Sequence, residues 1–356
     1  MRTDLRRISG AQLVTTLAVT RVFSLFTYVP RQGSVSGQVT LLSIPLSVAV
    51  CWLLLTPFLR MRKTCGPDLL VECGRLGKPF SAVAVLLFLG ACLLQVAGSC
   101  SHFAFFMTSS VYQTASREIF IGVLLVTGGY AAALGLEAFS RAGSLLFAFA
   151  LLVMGLMLAA LLPEIRLSQL YSPLAEGVEP LVRSLARTTA QNVELILFVL
   201  LLSRCRPGHD KRYLAGLLGI TALLYEIFTF LTLTVLGDYS RMRLFPLHTL
   251  ATVAEASVLG RMDLLHILLW SAVGFLRVTL YLYGAATCLH RLAKRLSMGM
   301  AVAICAFLTG VMALAIPIGV WDVASPGTLA VLSVLVAGFP LAVLAKKRFS
   351  KEESAQ

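Results

Sequence analysis

The feature that most constrains this chain is a series of apolar runs that recurs along its whole length. Each run has 18 or more residues, enough to cross a hydrocarbon core about 30 Å thick as a helix. Of the 356 residues 58% are hydrophobic and only 13% are charged, against about 25% charged in a soluble domain. A soluble fold could not bury so many runs, so we predict a polytopic membrane protein.

The runs predict helices. They are too long and too rich in Leu for outer-membrane strands, which alternate apolar and polar residues. Lipid offers no hydrogen-bond partner, so each run must satisfy its own backbone as a helix. We therefore predict an all-α integral membrane fold with ten transmembrane helices, at about 10–30, 36–59, 81–108, 118–136, 143–162, 183–203, 213–236, 264–289, 296–315 and 326–345.

The distribution of Lys and Arg predicts the orientation. The segments on the N-terminal side of the membrane hold 20 of the 30 basic and seven of the 17 acidic residues, which accounts for the net charge of +13. By the positive-inside rule this side is the cytoplasm, with both termini in it. The basic residues are spread over short loops, which indicates topology rather than nucleic-acid binding. In loop 60–80 they indicate topology and contact with anionic lipid, and contact with a cytoplasmic partner is the alternative.

Four charged residues lie near the midpoints of predicted spans: Arg21, Glu194, Glu226 and Arg277. A lone charge at that depth costs about 2.5–3.5 kcal/mol on insertion scales. Two interpretations stay open. The charges neutralise one another as structural ion pairs, or some of them line a polar cavity that meets a ligand or ion.

Polar neighbours on the first and sixth spans favour a cavity. Thr20 and Ser24 flank Arg21, and Thr188, Gln191 and Glu194 recur every three residues on one helix face, with Asn192 beside them. We predict that the sixth span is locally unwound near "TTAQNVE", although neither Gly nor Pro interrupts it. If the chain is one membrane domain of two inverted halves, 10–162 and 183–345, these two spans hold equivalent places around a midplane site.

Several motifs resemble those of a known family. They are "GLEAFSR" with Glu137 and Arg141, the Asn192-Val193-Glu194 triplet, and a region that holds Phe245-Pro246, Arg261-x-Asp263 and Trp270. In these motifs the chain resembles the membrane B subunits of bacterial endospore nutrient-germinant receptors, which belong to the amino-acid/polyamine/organocation transporter superfamily. One stretch departs from that family: the first span reads "AVTRVFSLFTYVPR" where small residues are usual. Either the ligand differs, with Arg21 gripping its carboxylate, or the site has lost free ligand access.

The resemblance implies a LeuT-like bundle of five plus five helices that is used as a sensor. It implies a small nutrient ligand such as an amino acid, receptor A and C subunits as partners, and the spore inner membrane as location. The alternatives are a working amino-acid or cation-coupled transporter and a structural subunit whose site is vestigial. We expect no enzyme activity, cofactor or metal site, since the sequence has no phosphate loop, HExxH motif or CxxC pair.

Specific roles follow from these observations. We predict that Thr20, Arg21, Ser24, Thr188, Gln191, Asn192 and Glu194 bind the ligand. Arg21 would pair with Glu194 or bind the ligand's carboxylate, and Glu226 and Arg277 would form a structural pair. Apolar residues at helical spacing in 246–259 predict a short amphipathic helix on the non-cytoplasmic face, either a lid or a fixed plug.

Overall fold

A computed structural model describes residues 8–26, 37–172, 177–205, 208–257, 262–317 and 322–353. Within these ranges the regular structure is helical, apart from one isolated bridge between Ile8 and Cys205. The α-helices are α1 Gly10–Phe26, α2 Gly37–Thr64, α3 Leu69–Leu76, α4 Lys78–Phe106, α5 Arg117–Leu134, α6 Leu136–Leu161, α7 Val178–Ala190, α8 Glu194–Leu201, α9 Asp210–Leu231, α10 Pro246–Ser257, α11 Met262–Leu292, α12 Met298–Ala315, α13 Pro326–Ser333 and α14 Phe339–Glu353.

Eight continuous helices in the described ranges are long and apolar enough to cross a membrane, which confirms the multi-pass prediction. Seven of them contain α2, α4, α5, α6, α9, α11 and α12, and the eighth joins α13 to α14 through a π-helical turn. A ninth span is the pair α7 and α8. The first predicted span is described as α1, which has 17 residues and lies inside the bundle.

The sixth predicted span is broken, as its polarity predicts. α7 ends at Ala190, α8 begins at Glu194, and the axes of the two segments differ by 41°. Between them the backbone changes to i→i+3 bonds, such as Leu195 N–H to the Asn192 carbonyl at 3.1 Å. This tighter pattern releases carbonyl groups from the α-helical ladder without any Gly or Pro.

The first predicted span, by contrast, is a continuous α-helix through Arg21 and Phe23. It packs between α6, α9 and α11, and α11 in turn packs against α4, α5 and α12. Helices α1, α4, α8 and α11 therefore surround the centre of the bundle. Large apolar side chains also cover its outside, for example Leu145 and Phe307, which are 76% and 71% exposed and suit contact with lipid.

Two short helices lie at opposite ends of the bundle. α3 follows the end of α2, and its N-cap Asp68 accepts hydrogen bonds from the backbone of Leu70 and Val71. α10 confirms the predicted helix within 246–259: it packs on α11 and α6 and buries Leu247, Leu250, Ala251 and Ala254. Val258, which the sequence places on the same face, lies outside the described residues.

Candidate functional site

A charged cluster occupies the centre of the bundle, where α1, α4, α8 and α11 meet. We call it the midplane cluster. Its members are Thr20, Arg21, Gln95, Ser99, Gln191, Glu194 and Arg277.

Arg277 is the hub of the midplane cluster. Its Nη1 donates to Glu194 Oε1 at 2.7 Å and to the Thr20 carbonyl at 2.8 Å. Its Nη2 donates to Gln95 Oε1 at 3.0 Å, and its Nε donates to Ser99 Oγ at 2.9 Å. The guanidinium is thus bonded to four residues on three other helices, which offsets the cost of burying its charge.

Glu194 balances that charge. The Arg277 and Glu194 side chains are 2% and 4% exposed, so the ion pair is almost fully removed from solvent. Glu194 lies in the first turn of α8, where the positive end of the helix dipole favours a carboxylate. Because the helix breaks just before α8, Glu194 lies at a helix N-terminus, where the helix dipole stabilises its negative charge.

Arg21 forms the second half of the cluster. Its Nη1 donates to the Gln191 backbone carbonyl and its Nη2 to Gln191 Oε1 at 3.3 Å, so it bridges α1 to the break after α7. The guanidinium also lies over the Tyr225 ring of α9, 5.2 Å from its centroid. Arg21 therefore donates a hydrogen bond to a backbone carbonyl in the broken segment.

The predicted pair of Glu226 and Arg277 is wrong, because Arg277 pairs with Glu194. Glu226 lies half-buried on α9, without a hydrogen bond or ion pair to any residue that the structure describes. Arg21 contacts Gln191 rather than Glu194. The sequence predicts how deep a residue lies along a span, but it does not predict toward which neighbouring helix its side chain points.

The other predicted ligand residues lie near the cluster with local partners. Thr188 is buried, and its hydroxyl donates to the Ser184 carbonyl at 2.9 Å. Asn192 donates to the Thr188 carbonyl at 2.8 Å, and Ser24 is half-buried one turn beyond Thr20 on α1. Of the seven predicted ligand residues, the structure brings Thr20, Arg21, Gln191 and Glu194 into the midplane cluster. Their role as ligand residues stays a prediction.

Sequence reasoning missed Gln95 and Ser99 of α4 and the rings around Arg277. Gln95 and Ser99 are four residues apart and both are buried, a spacing that could have flagged a polar face. Tyr281 and Phe23 lie against the Arg277 guanidinium, with centroids 5.1 Å and 5.7 Å away. These rings shield the pair from water.

An aromatic stack connects the midplane cluster to α10. Phe23 stacks on Trp270 at 5.7 Å, and Trp270 meets Phe106 at 4.0 Å. Phe106 also contacts Phe245, just before α10, at 4.9 Å. Two of the motif residues, Phe245 and Trp270, thus meet through Phe106 above the cluster.

The other motif residues that the structure describes lie apart from the cluster. Glu137 and Arg141 form an ion pair at 2.6 Å one turn apart on α6. Pro246 starts α10, Asp263 lies in the first turn of α11, and Arg261 lies outside the described residues. The places of Glu137, Arg141, Pro246 and Asp263 indicate structural roles at helix ends and surfaces.

Comparisons with known proteins agree with this architecture. A family model described as spore germination protein matches residues 71–342. The chain is also similar to spore germination protein KB of Bacillus subtilis (strain 168), at 29% identity over 168 residues. That match covers 45% of this chain and 45% of KB, so it spans less than half of either protein.

The fold is similar to that of Mhp1, a nucleobase-cation-symport-1 family transporter in a closed conformation with bromovinylhydantoin bound. The TM-score is 0.60 at 13% identity, over 92% of this chain and 76% of Mhp1. The likeness shows a transporter-like helical bundle, as the sequence predicts.

Proposed function

The chain belongs to the spore germination protein family, and from that premise we propose that it is the membrane subunit of a spore germinant receptor. In this role it senses a small nutrient, an amino acid, and helps to trigger germination without catalysing a reaction. Its place is the spore inner membrane, with both termini in the cytoplasm and with receptor A and C subunits as partners.

The buried pair of Arg277 and Glu194 carries this proposal. A sensor needs an element with two discrete arrangements whose balance a ligand can shift. We infer that the broken segment between Ala190 and Glu194 is such an element, because side chains from α1 and α11 supplement the short i→i+3 bonds of its own backbone. A ligand that favours a second arrangement of these bonds would shift the whole bundle.

A working transporter is the second candidate, because the fold is shared with a cation symporter. The same ion pair favours the sensor. Glu194 already has a cationic partner in Arg277, so the carboxylate does not require a coupling cation for neutralisation. Arg21 and Arg277 are 2% and 1% exposed, which leaves the centre filled by the protein's own side chains.

Spores that lack the chain test the proposed function. We expect them to lose the response to at least one L-amino acid while their response to nutrients sensed by other receptors persists. Re-expression of the chain restores the lost response. Unchanged germination with every amino acid would refute the proposal.

Uptake by liposomes that contain only this chain separates the sensor from the transporter. The probes are labelled L-amino acids, under a sodium or a proton gradient. We expect no accumulation above protein-free liposomes, with a known amino-acid symporter as the positive control. Gradient-dependent accumulation would establish transport instead.

A further inference from the structure

A cavity of about 460 Å³ opens at one end of the bundle. It lies where α2 and α10 begin and where α9 ends. The opposite ends of α2 and α9 are joined by the ion pair of Arg62 and Asp210 at 2.8 Å, among the basic loops. We call it the outer cavity, since the positive-inside rule places its end away from the cytoplasm.

The outer cavity has polar walls. Gln38 is 3% exposed, and its Nε2 donates to the Gln169 carbonyl at 2.9 Å across the cavity's edge. Thr229 and Thr232 bring hydroxyl groups from α9 and from the π-helical turn that follows it, and Phe228 adds an apolar surface. Both the volume and this mixture of an apolar wall with a few polar groups suit a small-molecule site.

Two opposite charges also line the outer cavity. Asp238 Oδ1 lies 3.8 Å from Arg241 Nε, and these side chains are 95% and 53% exposed. An exposed pair at that distance contributes little to stability, so each group is free to turn toward a ligand. A molecule that carries both an ammonium and a carboxylate group satisfies both residues together, whereas a sugar or a simple ion does not.

The inner wall of the outer cavity leads to the midplane cluster. Tyr225 lines the cavity, and its ring lies 5.2 Å from the Arg21 guanidinium. Arg21 in turn bonds to Gln191 in the broken segment. A ligand that moves Tyr225 therefore acts on Arg21, whose hydrogen bonds to Gln191 stabilise the helix break.

We propose that the outer cavity binds a zwitterionic α-amino acid, with its carboxylate toward Arg241 and its ammonium group toward Asp238. The inference rests on the proposed function, because it gives the sensed nutrient a binding site and a route to the helix break. Binding there shifts Tyr225 and Arg21 and so changes the balance between the two arrangements of the midplane cluster.

A cavity-filling substitution tests the site. Thr232→Phe places a ring in the outer cavity from a half-buried position whose hydroxyl bonds its own helix, at 2.8 Å from the Phe228 carbonyl. Thr127→Phe is the matched control, because exposed Thr127 bonds its own helix in the same way at 2.7 Å, on the outside of α5. Glycine and each of the other standard amino acids in its L form are offered to spores one at a time, and the protein level is checked in spore membranes. We expect Thr232→Phe to abolish germination in response to the effective amino acid while its protein level stays normal. We expect Thr127→Phe to preserve that response.

A charge substitution tests the ligand class. We expect Arg241→Gln to raise the half-maximal concentration of the effective amino acid about tenfold or more, since a charge-assisted hydrogen bond is lost. Arg243→Gln is the control: Arg243 is exposed in the same loop, but it stacks on Tyr239 at 4.4 Å. We expect that variant to respond as the unmodified chain does.

The outcomes separate this inference from the proposed function. If spores without the chain respond to every amino acid, the proposed function is wrong. If they lose a response while Thr232→Phe and Arg241→Gln retain it at unchanged concentrations, the outer cavity is not the site.

Discussion

Arg277 of α11 and Glu194 of α8 form an ion pair of 2.7 Å at the centre of the bundle, 83 residues apart in sequence. The pair also reaches α1 and α4, through the Thr20 carbonyl and Gln95. Such a pair is costly to break from one side, because the remaining partner keeps a buried charge. It therefore makes the arrangement of four helices dependent on two side chains.

Removing either charge alone is expected to destabilise the protein strongly. Arg277→Leu and Glu194→Leu each leave an uncompensated buried charge, for a loss of about 3–5 kcal/mol. The double variant removes both charges, so we expect it to be more stable than either single variant. The midpoint of thermal unfolding in detergent and the protein level in membranes measure the effect.

Glu226→Leu is the control for that experiment. Glu226 is also a glutamate within a span, but it is half-buried and has no ion pair among the described residues. We expect Glu226→Leu to have little effect by itself and not to rescue Arg277→Leu. Rescue of Arg277→Leu by Glu226→Leu, but not by Glu194→Leu, would contradict the pairing.

The break after α7 gives a second prediction. Gln191→Leu removes the side-chain acceptor of Arg21, and hydrogen bonds to charged groups contribute about 1.5–3 kcal/mol. We expect a lower unfolding midpoint and an altered sensitivity to nutrient, because the break is held less firmly.

Asn192→Leu is the matched comparison for Gln191→Leu. Asn192 is the adjacent half-buried amide, and among the described residues its side chain bonds only the preceding helix turn, at 2.8 Å from the Thr188 carbonyl. We expect a smaller loss of stability, since no charged group loses a partner. Equal losses in both variants would argue against a special role of the Arg21 contact.

Much of this fold could be predicted from the sequence because lipid restricts the choices. Apolar runs had to be helices, and their boundaries agree with the structure within a few residues for most spans, such as 264–289 against Met262–Leu292. The polar string around Gln191 also predicted the break, since an unwound backbone needs polar partners. These inferences depend only on local sequence and on the solvent.

The charge pairing could not be predicted in the same way. Arg277 and Glu226 lie at a similar depth on consecutive spans, but the rotation of each helix about its axis decides which charges meet. The structure turns Arg277 toward the centre, where it is 1% exposed, and leaves Glu226 at the side of α9. Gln95 and Ser99 could not be assigned to the cluster from the sequence, because neutral polar residues often bond their own helix. Ser99 also does so, since its hydroxyl donates to the Gln95 carbonyl at 2.6 Å.

Close packing of α5 on α11 gives a third prediction. A Cβ at Gly128 would lie 2.9 Å from Val278 Cγ1 and 3.5 Å from the Thr279 backbone nitrogen. Val278 is β-branched and fully buried, so it has little freedom to move. We expect Gly128→Ala to lower stability by about 1–3 kcal/mol, measured by thermal unfolding in detergent.

Gly122 on the same helix serves as the control, because a Cβ there meets nothing within 4 Å. Alanine is a better helix former than glycine, so we expect Gly122→Ala to leave stability unchanged or to raise it by up to about 1 kcal/mol. A comparable loss in both variants would show that flexibility of α5, rather than its contact with α11, explains the effect.

The last prediction concerns the pH dependence of α10. His248 is half-buried on this helix, and its Nδ1 is buried without a hydrogen-bond partner among the described residues. Its ring lies 5.4 Å from Phe106 and 5.6 Å from the ring of His266. Burial lowers the pKa of His248 below its usual value of 6.5, and the carboxylate of Asp263 opposes that shift without cancelling it.

The sign of the effect follows from that direction. Below the unfolded pKa of about 6.5, the unfolded chain binds a proton at His248 that the folded chain resists, so stability falls as the pH falls. Above it both states are neutral at this residue, and the contribution is fully present. We therefore expect the unfolding midpoint in detergent to drop between about pH 8 and pH 5.5, and to drop less in His248→Gln. His209→Gln is the control, because it changes an exposed histidine at the start of α9, and we expect its unfolding midpoint to vary with pH as in the unmodified protein. If the midpoint of His248→Gln varies with pH in the same way, protonation of His248 does not destabilise the fold.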